Sequence, residues 1–129
     1  MLWELITGKW MPPKDTHPSF AGQTVIVTGA NVGLGFEASM KFVQLGAAKV
    51  ILAVRTLSKG EEAKKQIETR TGRKDVLDVW HLDMMDYSTI KTFADRATRE
   101  LDRLDIAVLN AGIAMTDFKQ SQYGYERTL

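Results

Sequence analysis

Between residues 21 and 129, short apolar runs alternate with segments whose apolar positions recur every three or four residues. Thr24–Thr28 is β-branched and apolar, the pattern of a strand covered on both faces. From about Gly33 to Leu45, Phe36, Met40 and Val43 return at helical spacing and share one face. Gly46 stands where a helix-ending glycine belongs. Lys49–Val54 is a second apolar run and predicts a second strand. Ser58, with Glu61 three residues on, reads as a capping box. The helix it opens runs from Lys59 to about Arg70, is highly charged, turns only Ala63 and Ile67 inward, and ends at Gly72. Val76–Leu82 predicts the third strand. Asp86 or Ser88 caps a third helix, with Ile90, Phe93, Ala94, Ala97 and Leu101 on one face. Leu104–Asn110 predicts the fourth strand. Ala111-Gly112 then turns the chain into a loop, with one turn of a further helix expected towards Leu129.

The order β-α-β-α-β-α-β argues for a parallel sheet. Right-handed crossovers then set the layout. Strands two and three step outward on one side of strand one, and strand four returns on the other. The expected fold is α/β, a three-layer Rossmann-type doubly wound parallel sheet of order 3-2-1-4, ending after the fourth strand. This order puts a switch point beside strand one, where ligands bind in such sheets.

The turn after strand one is glycine-rich. Gly29 permits a sharp exit from the strand. Gly33 carries no Cβ, so a pyrophosphate has room to approach the backbone. Gly35 lets the new helix lie close to the sheet. Gly29, Asn31, Gly33, Leu34 and Gly35 are therefore the candidate phosphate cradle, at a helix start whose N–H groups have no internal partner. A tight strand-helix turn without a ligand remains the other reading of these residues alone. A Walker-type phosphate loop fails, because no Gly-Lys-Ser/Thr follows the glycines.

Composition narrows the partners. The 129 residues carry 17 Lys+Arg against 16 Asp+Glu, a net charge of +1, which gives no support for a nucleic-acid partner. There is no cysteine, so disulfide and thiol chemistry are excluded. With only His17 and His81 beside that, no metal site is expected. No apolar run has the length of a membrane span. The expected location is cytoplasmic. Residues 1–20 read as an N-terminal arm with a proline-containing linker (Pro12, Pro13, Pro18), and 21–129 as the domain. Trp3 and Trp10 leave peripheral membrane contact through residues 1–11 as an alternative to an arm folded on the domain.

Taken together, three motifs resemble the short-chain dehydrogenase/reductase family. Thr28, Gly29, Gly33 and Gly35 fit its Thr-Gly-x-x-x-Gly-x-Gly pattern. Leu82-Asp83 looks like its adenine-contacting acidic position. Leu109-Asn110-Ala111-Gly112 resembles its Asn-Asn-Ala-Gly motif, with Leu for the first Asn. Ala53-Val54-Arg55, followed by Lys59-Gly60, looks most like retinol-dehydrogenase-type members and related fungal reductases. The resemblance covers roughly Ala21 to Leu129, the N-terminal, cofactor-binding half of what the family normally contains. It implies an oxidoreductase that moves a hydride between a nicotinamide dinucleotide and an alcohol or ketone. It also implies that Asp83 accepts from the adenine amino group and that Asn110 and Ala111 lie near the cofactor, with Asn110 tying the central strands together.

The residue after strand two chooses the cofactor in this architecture. It is Arg55, with Lys59 one turn on and no acidic residue in Val54–Lys59, which favours NADP (NADPH) over NAD. Arg55 also speaks against a methyltransferase, which generally wants an acidic residue there. The family's catalysis requires Ser and Tyr-x-x-x-Lys after a fifth strand. Tyr87 and Lys91 match that spacing, but they open the third helix on the adenine side and are rejected. No catalytic residue is assigned. The alternative function is a truncated, catalytically inactive nucleotide-binding remnant. A bare fourth-strand edge and uncovered sheet face would favour self-association.

Overall fold

The computed structural model describes residues 16–127. Four strands, β1 (Thr24–Thr28), β2 (Lys49–Val54), β3 (Leu77–His81) and β4 (Ile106–Val108), alternate with helices α1 (Gly33–Gln44), α2 (Leu57–Thr71) and α3 (Tyr87–Glu100). All pairings are parallel, in the order β3-β2-β1-β4. The sheet is the expected Rossmann-type arrangement, with β1 at its reversal point.

Side-chain alternation along the strands feeds two cores. Val25, Val27, Val50, Leu52, Val54 and Leu77 pack with Phe36 and Val43 of α1 and Ala63 and Ile67 of α2. Ile26, Ile51, Ala53 and Trp80 point to the other face, where Ile90, Phe93, Ala97 and Leu101 cover them. Right-handed crossovers thus put α1 and α2 on one face and α3 on the other. Every residue of β1 is buried, as is every residue of β2 except Lys49.

Several boundaries differ from the sequence reading. α2 begins at Leu57 with Thr56 as its N-cap, and no side chain caps it. Ser58 therefore lies inside the first turn, where the Gly60 N–H bonds the Thr56 carbonyl at 3.1 Å. The expected box with Glu61 does not form, because the helix starts too soon after β2 for Ser58 to flank it. β3 and β4 are shorter than expected: Val76, Leu104 and Asp105 lead in, and Leu82, Leu109 and Asn110 lie past the strand ends. Ala94 is exposed, because α3 rests on the sheet by the narrower stripe of Ile90, Phe93 and Ala97. Up to residue 127 the end of the chain holds an isolated Gln120–Glu126 bridge where a helical turn was expected. Residues 1–11, with Pro12 and Pro13, lie outside the described residues. Phe20 packs edge-on against Phe42, with ring centres 4.9 Å apart.

Gly60 is a helix-interior glycine, which ordinarily costs about 1 kcal/mol relative to alanine. Its reason is contact: a Cβ there would stand 2.5 Å from Val79 Cγ1 and 2.7 Å from Val54 Cγ2. Gly60→Ala is expected to destabilise by about 1 kcal/mol net, since overpacking of about 1–3 kcal/mol outweighs the propensity gain. Urea denaturation measures it; a stabilised variant would show that α2 can back off the sheet freely.

Among the described residues, Asp86 supplies the one side-chain helix cap. Its Oδ1 accepts from the Ser88 N–H at 2.9 Å, the Ser88 hydroxyl at 2.7 Å and the Tyr123 hydroxyl at 3.2 Å. The Ser88 hydrogen bonds, ahead of the Tyr123 contact, hold its carboxyl below the usual range. A lowered pKa in the fold contributes stability above the unfolded value, and this is lost as pH falls through the folded value. Asp86→Ala is expected to lower the melting temperature by a few degrees at neutral pH. The deficit should shrink towards zero on acidification; one constant down to acid pH would mean the carboxylate charge contributes nothing.

Candidate cofactor site

β1 leaves the sheet through Thr28 into a turn fixed from two sides. The Gly29 N–H bonds the Ala53 carbonyl at 2.9 Å, holding the turn to β2. Asn110 Nδ2 donates to the Thr28 carbonyl at 3.1 Å and the Gly29 carbonyl at 3.4 Å, holding it to the end of β4. The buried Thr28 hydroxyl accepts from the Ala111 N–H at 2.9 Å and donates towards the Val108 carbonyl at 3.4 Å. These bonds bring the two turns into one rigid floor. Thr28 was missed as a latch; the signal was a hydroxyl at the end of an otherwise apolar buried strand.

The glycines divide the work. Gly29 has φ +65°, and a Cβ there would meet the Ala111 Cα at 3.0 Å. Gly33 has φ +57°, with open space where its Cβ would be. Gly35 is buried, and its Cβ would collide with the Gly29 carbonyl oxygen and stand 2.6 Å from Asn110 Nδ2. α1 can therefore start against the floor only because residue 35 lacks a side chain. Its N-cap, Val32, makes no side-chain cap, and no acidic residue lies in its first turn. The first N–H groups of α1 are left to an outside acceptor, and the helix dipole favours an anionic one.

Above the floor lies a cleft of about 380 Å³ at the C-terminal ends of all four strands. Of the predicted residues, Gly29, Asn31, Arg55, Asp83, Asn110 and Ala111 line it. Gly33, Leu34, Gly35 and Lys59 do not. Gly35 lies beneath the turn, Leu34 is 82% exposed to solvent, and Lys59 sits on the solvent side of α2. The apolar wall, formed by Leu82, Met84, Met85 and Ile113, was not foreseen. Those residues lie in the irregular segments after β3 and β4, where no periodicity marks them.

Arg55 and Asp83 put opposite charges on the cleft. Arg55 is exposed and makes no ion pair among the described residues. Asp83 Oδ1 accepts from the Met85 N–H at 2.9 Å, which closes a turn. Its Oδ2 makes no hydrogen bond among the described residues. The Thr89 hydroxyl braces the Asp83 main chain, accepting from its N–H at 3.0 Å and donating to its carbonyl at 2.9 Å. Tyr87 and Lys91 line no part of the cleft: the Tyr87 ring stacks on Tyr123 at 4.3 Å, and Lys91 Nζ pairs with Asp95 at 2.8 Å. Among the described residues, no group of three His, Asp or Glu side chains has a metal-holding geometry, and no helix is long and apolar enough to cross a membrane.

The family model for short chain dehydrogenases matches residues 23–127. The chain is 48% identical over 119 residues to the short-chain dehydrogenase/reductase phmF of Phaeosphaeria nodorum, covering 92% of this chain and 35% of that protein. It is 44% identical over 119 residues to the short-chain dehydrogenase/reductase ffsI of Aspergillus flavipes, again covering 92% and 35%. The chain thus spans about a third of the length of these relatives. Its fold superposes on a short chain dehydrogenase structure from Escherichia coli CFT073 complexed with NADPH, with a TM-score of 0.67 and 30% identity, covering 77% of this chain and 41% of that one.

Proposed function

This chain belongs to the short chain dehydrogenase family, and on that premise we propose that it is the cofactor-binding part of an NADP-dependent oxidoreductase acting on an alcohol or carbonyl compound. The observation that carries the reading is Arg55 on the cleft wall, beside an uncapped helix N-terminus and a floor whose glycines leave no side chain in the way. The same cofactor occurs in the NADPH complex of the Escherichia coli CFT073 protein.

Each group has a role suited to its chemistry. The first N–H groups of α1 would bind the pyrophosphate. The Arg55 guanidinium, free to fork, would take the 2′-phosphate, with Lys59 adding a more distant charge. Asp83 Oδ2 would accept from the adenine amino group while Oδ1 keeps the turn closed. Asn110 and Ala111 would hold the floor under the nicotinamide half. The bound dinucleotide supplies the hydride. No residue of the chain is assigned the proton transfer.

A second reading, a nucleotide-binding chain without turnover, is favoured by Tyr87 and Lys91, whose contacts lie away from the cleft. Calorimetric titration with NADPH, with NADH as the control, tests both. Tighter binding of NADPH supports the cofactor assignment, and binding of neither removes it. Binding without turnover on a panel of carbonyl compounds favours the second reading.

A further inference from the structure

The chain leaving β3 is last held to the sheet by the Leu82 N–H, which bonds the Val54 carbonyl at 2.9 Å. Main-chain groups alternate sides along a parallel ladder, so the next N–H, that of Asp83, points away from β2. β3 borders the sheet, and among the described residues no strand stands on that side. The partner is Thr89, in the first turn of α3, whose hydroxyl oxygen accepts from the Asp83 N–H at 3.0 Å. Its one hydroxyl proton has two carbonyls in reach, Asp83 at 2.9 Å and Asp86 at 2.8 Å. The Asp86 N–H closes the same turn on the Asp83 carbonyl at 3.0 Å. Thr69, Thr92 and Thr98 direct their hydroxyls to the carbonyl four residues back in their own helix. Thr89 instead reaches out of its helix to Asp83.

Asp83 is thereby fixed through both its main chain and its side chain. Thr89 holds the main chain, and the Met85 N–H holds Oδ1 at 2.9 Å. Asp83 lines the nucleotide cleft, so Oδ2 is the oxygen left to accept from a ligand there. Thr89 itself lines no part of that cleft and can act on such a ligand only through Asp83. A carboxylate oxygen accepts and cannot donate. It therefore suits a base that presents an amino group and repels one that presents a carbonyl oxygen at the same place.

We propose that Thr89 is a positioning residue: it sets Asp83 so that Oδ2 meets the exocyclic amino group of adenine, and so governs which purine the cleft accepts. This role rests on the reading of the cleft as a dinucleotide site with the adenine at Asp83.

Calorimetric titration of the full chain compares NADPH with its hypoxanthine counterpart, in which an oxo group replaces the amino group. The readout is the ratio of the two dissociation constants. The unaltered chain is expected to prefer NADPH about tenfold. Asp83→Asn keeps an oxygen for the Met85 N–H and puts an amide donor in place of Oδ2, so it should favour the hypoxanthine form. Thr89→Val removes the hydroxyl at nearly constant shape and should bring the ratio close to one. Thr89→Ala should do the same, and Thr89→Ser should keep the preference. Partial unfolding of a variant weakens both nucleotides by the same factor and leaves the ratio unmoved, so a merely structural role does not produce this result. No binding of NADPH by the unaltered chain, or a ratio unmoved in Asp83→Asn, overturns the reading of the cleft and the role of Thr89 with it. A ratio that moves in Asp83→Asn but stays unchanged in Thr89→Val and Thr89→Ala, or is lost in Thr89→Ser, overturns the role of Thr89 alone.

Discussion

Gly35→Ala will lose most nucleotide binding and about 3 kcal/mol of stability, near the upper end of what overpacking costs. The new Cβ would fall on the Gly29 carbonyl oxygen and 2.6 Å from Asn110 Nδ2. Neither can yield alone. The Gly29 N–H is held by the Ala53 carbonyl, and Asn110 Nδ2 already bridges the Thr28 and Gly29 carbonyls. The obstacle is backbone, so no rotamer change relieves it. α1 must shift, carrying away the N–H groups that would meet the pyrophosphate. Gly33→Ala is the contrasting case. Its φ of +57° disfavours a side chain, yet nothing stands within 4 Å of its Cβ. The cost there should be the backbone penalty alone, about 1–2 kcal/mol. Urea denaturation and NADPH calorimetry on both variants separate the two effects. Equal stability losses would mean that the Gly35 contact is not what fixes the helix start.

Arg55→Asp is expected to reverse the cofactor preference. Charge-assisted hydrogen bonds contribute about 1.5–3 kcal/mol each. Losing such contacts should weaken NADPH binding by roughly ten- to a hundredfold. The introduced carboxylate repels the 2′-phosphate but suits the 2′-hydroxyl of NADH. Arg55 is exposed, so the discrimination should fall as salt rises. Lys59→Ala should have a smaller effect, because Lys59 is outside the cleft wall. Competing titrations of NADPH and NADH at low and high ionic strength measure all three quantities. An unchanged ratio in Arg55→Asp would remove this residue from the choice.

Much of this could be read in advance because the relevant signals are local. The runs at Thr24–Thr28 and Lys49–Val54 are too apolar to be anything but doubly covered strands, and both boundaries match the structure. Gly46 and Gly72 mark helix ends through their need for positive φ, and both adopt it, at +96° and +69°. The motifs at Gly29, Asp83 and Asn110 meet at one cleft because each ends a parallel strand. Strand order, set by crossover handedness, makes those ends neighbours.

Local signals fail where a residue's partner is distant in sequence. Ser58 has every mark of a cap, but a helix begins where the incoming strand delivers it, here at Leu57. Gly60 reads as a weak helix residue until Val54 and Val79 are seen against it. The Thr28 hydroxyl finds Ala111, 83 residues away, and no spacing rule links them.

By itself, then, the sequence determined the elements, their parallel order and the family, since hydrophobic period and glycine chemistry are properties of neighbouring residues. The tertiary structure alone decided which glycine carries the helix approach and which predicted residues reach the cleft. It also decided that Lys59 and Leu34 stand outside the cleft wall, exposed to solvent. Those outcomes depend on distances between atoms that the chain order keeps apart, and only packing fixes such distances.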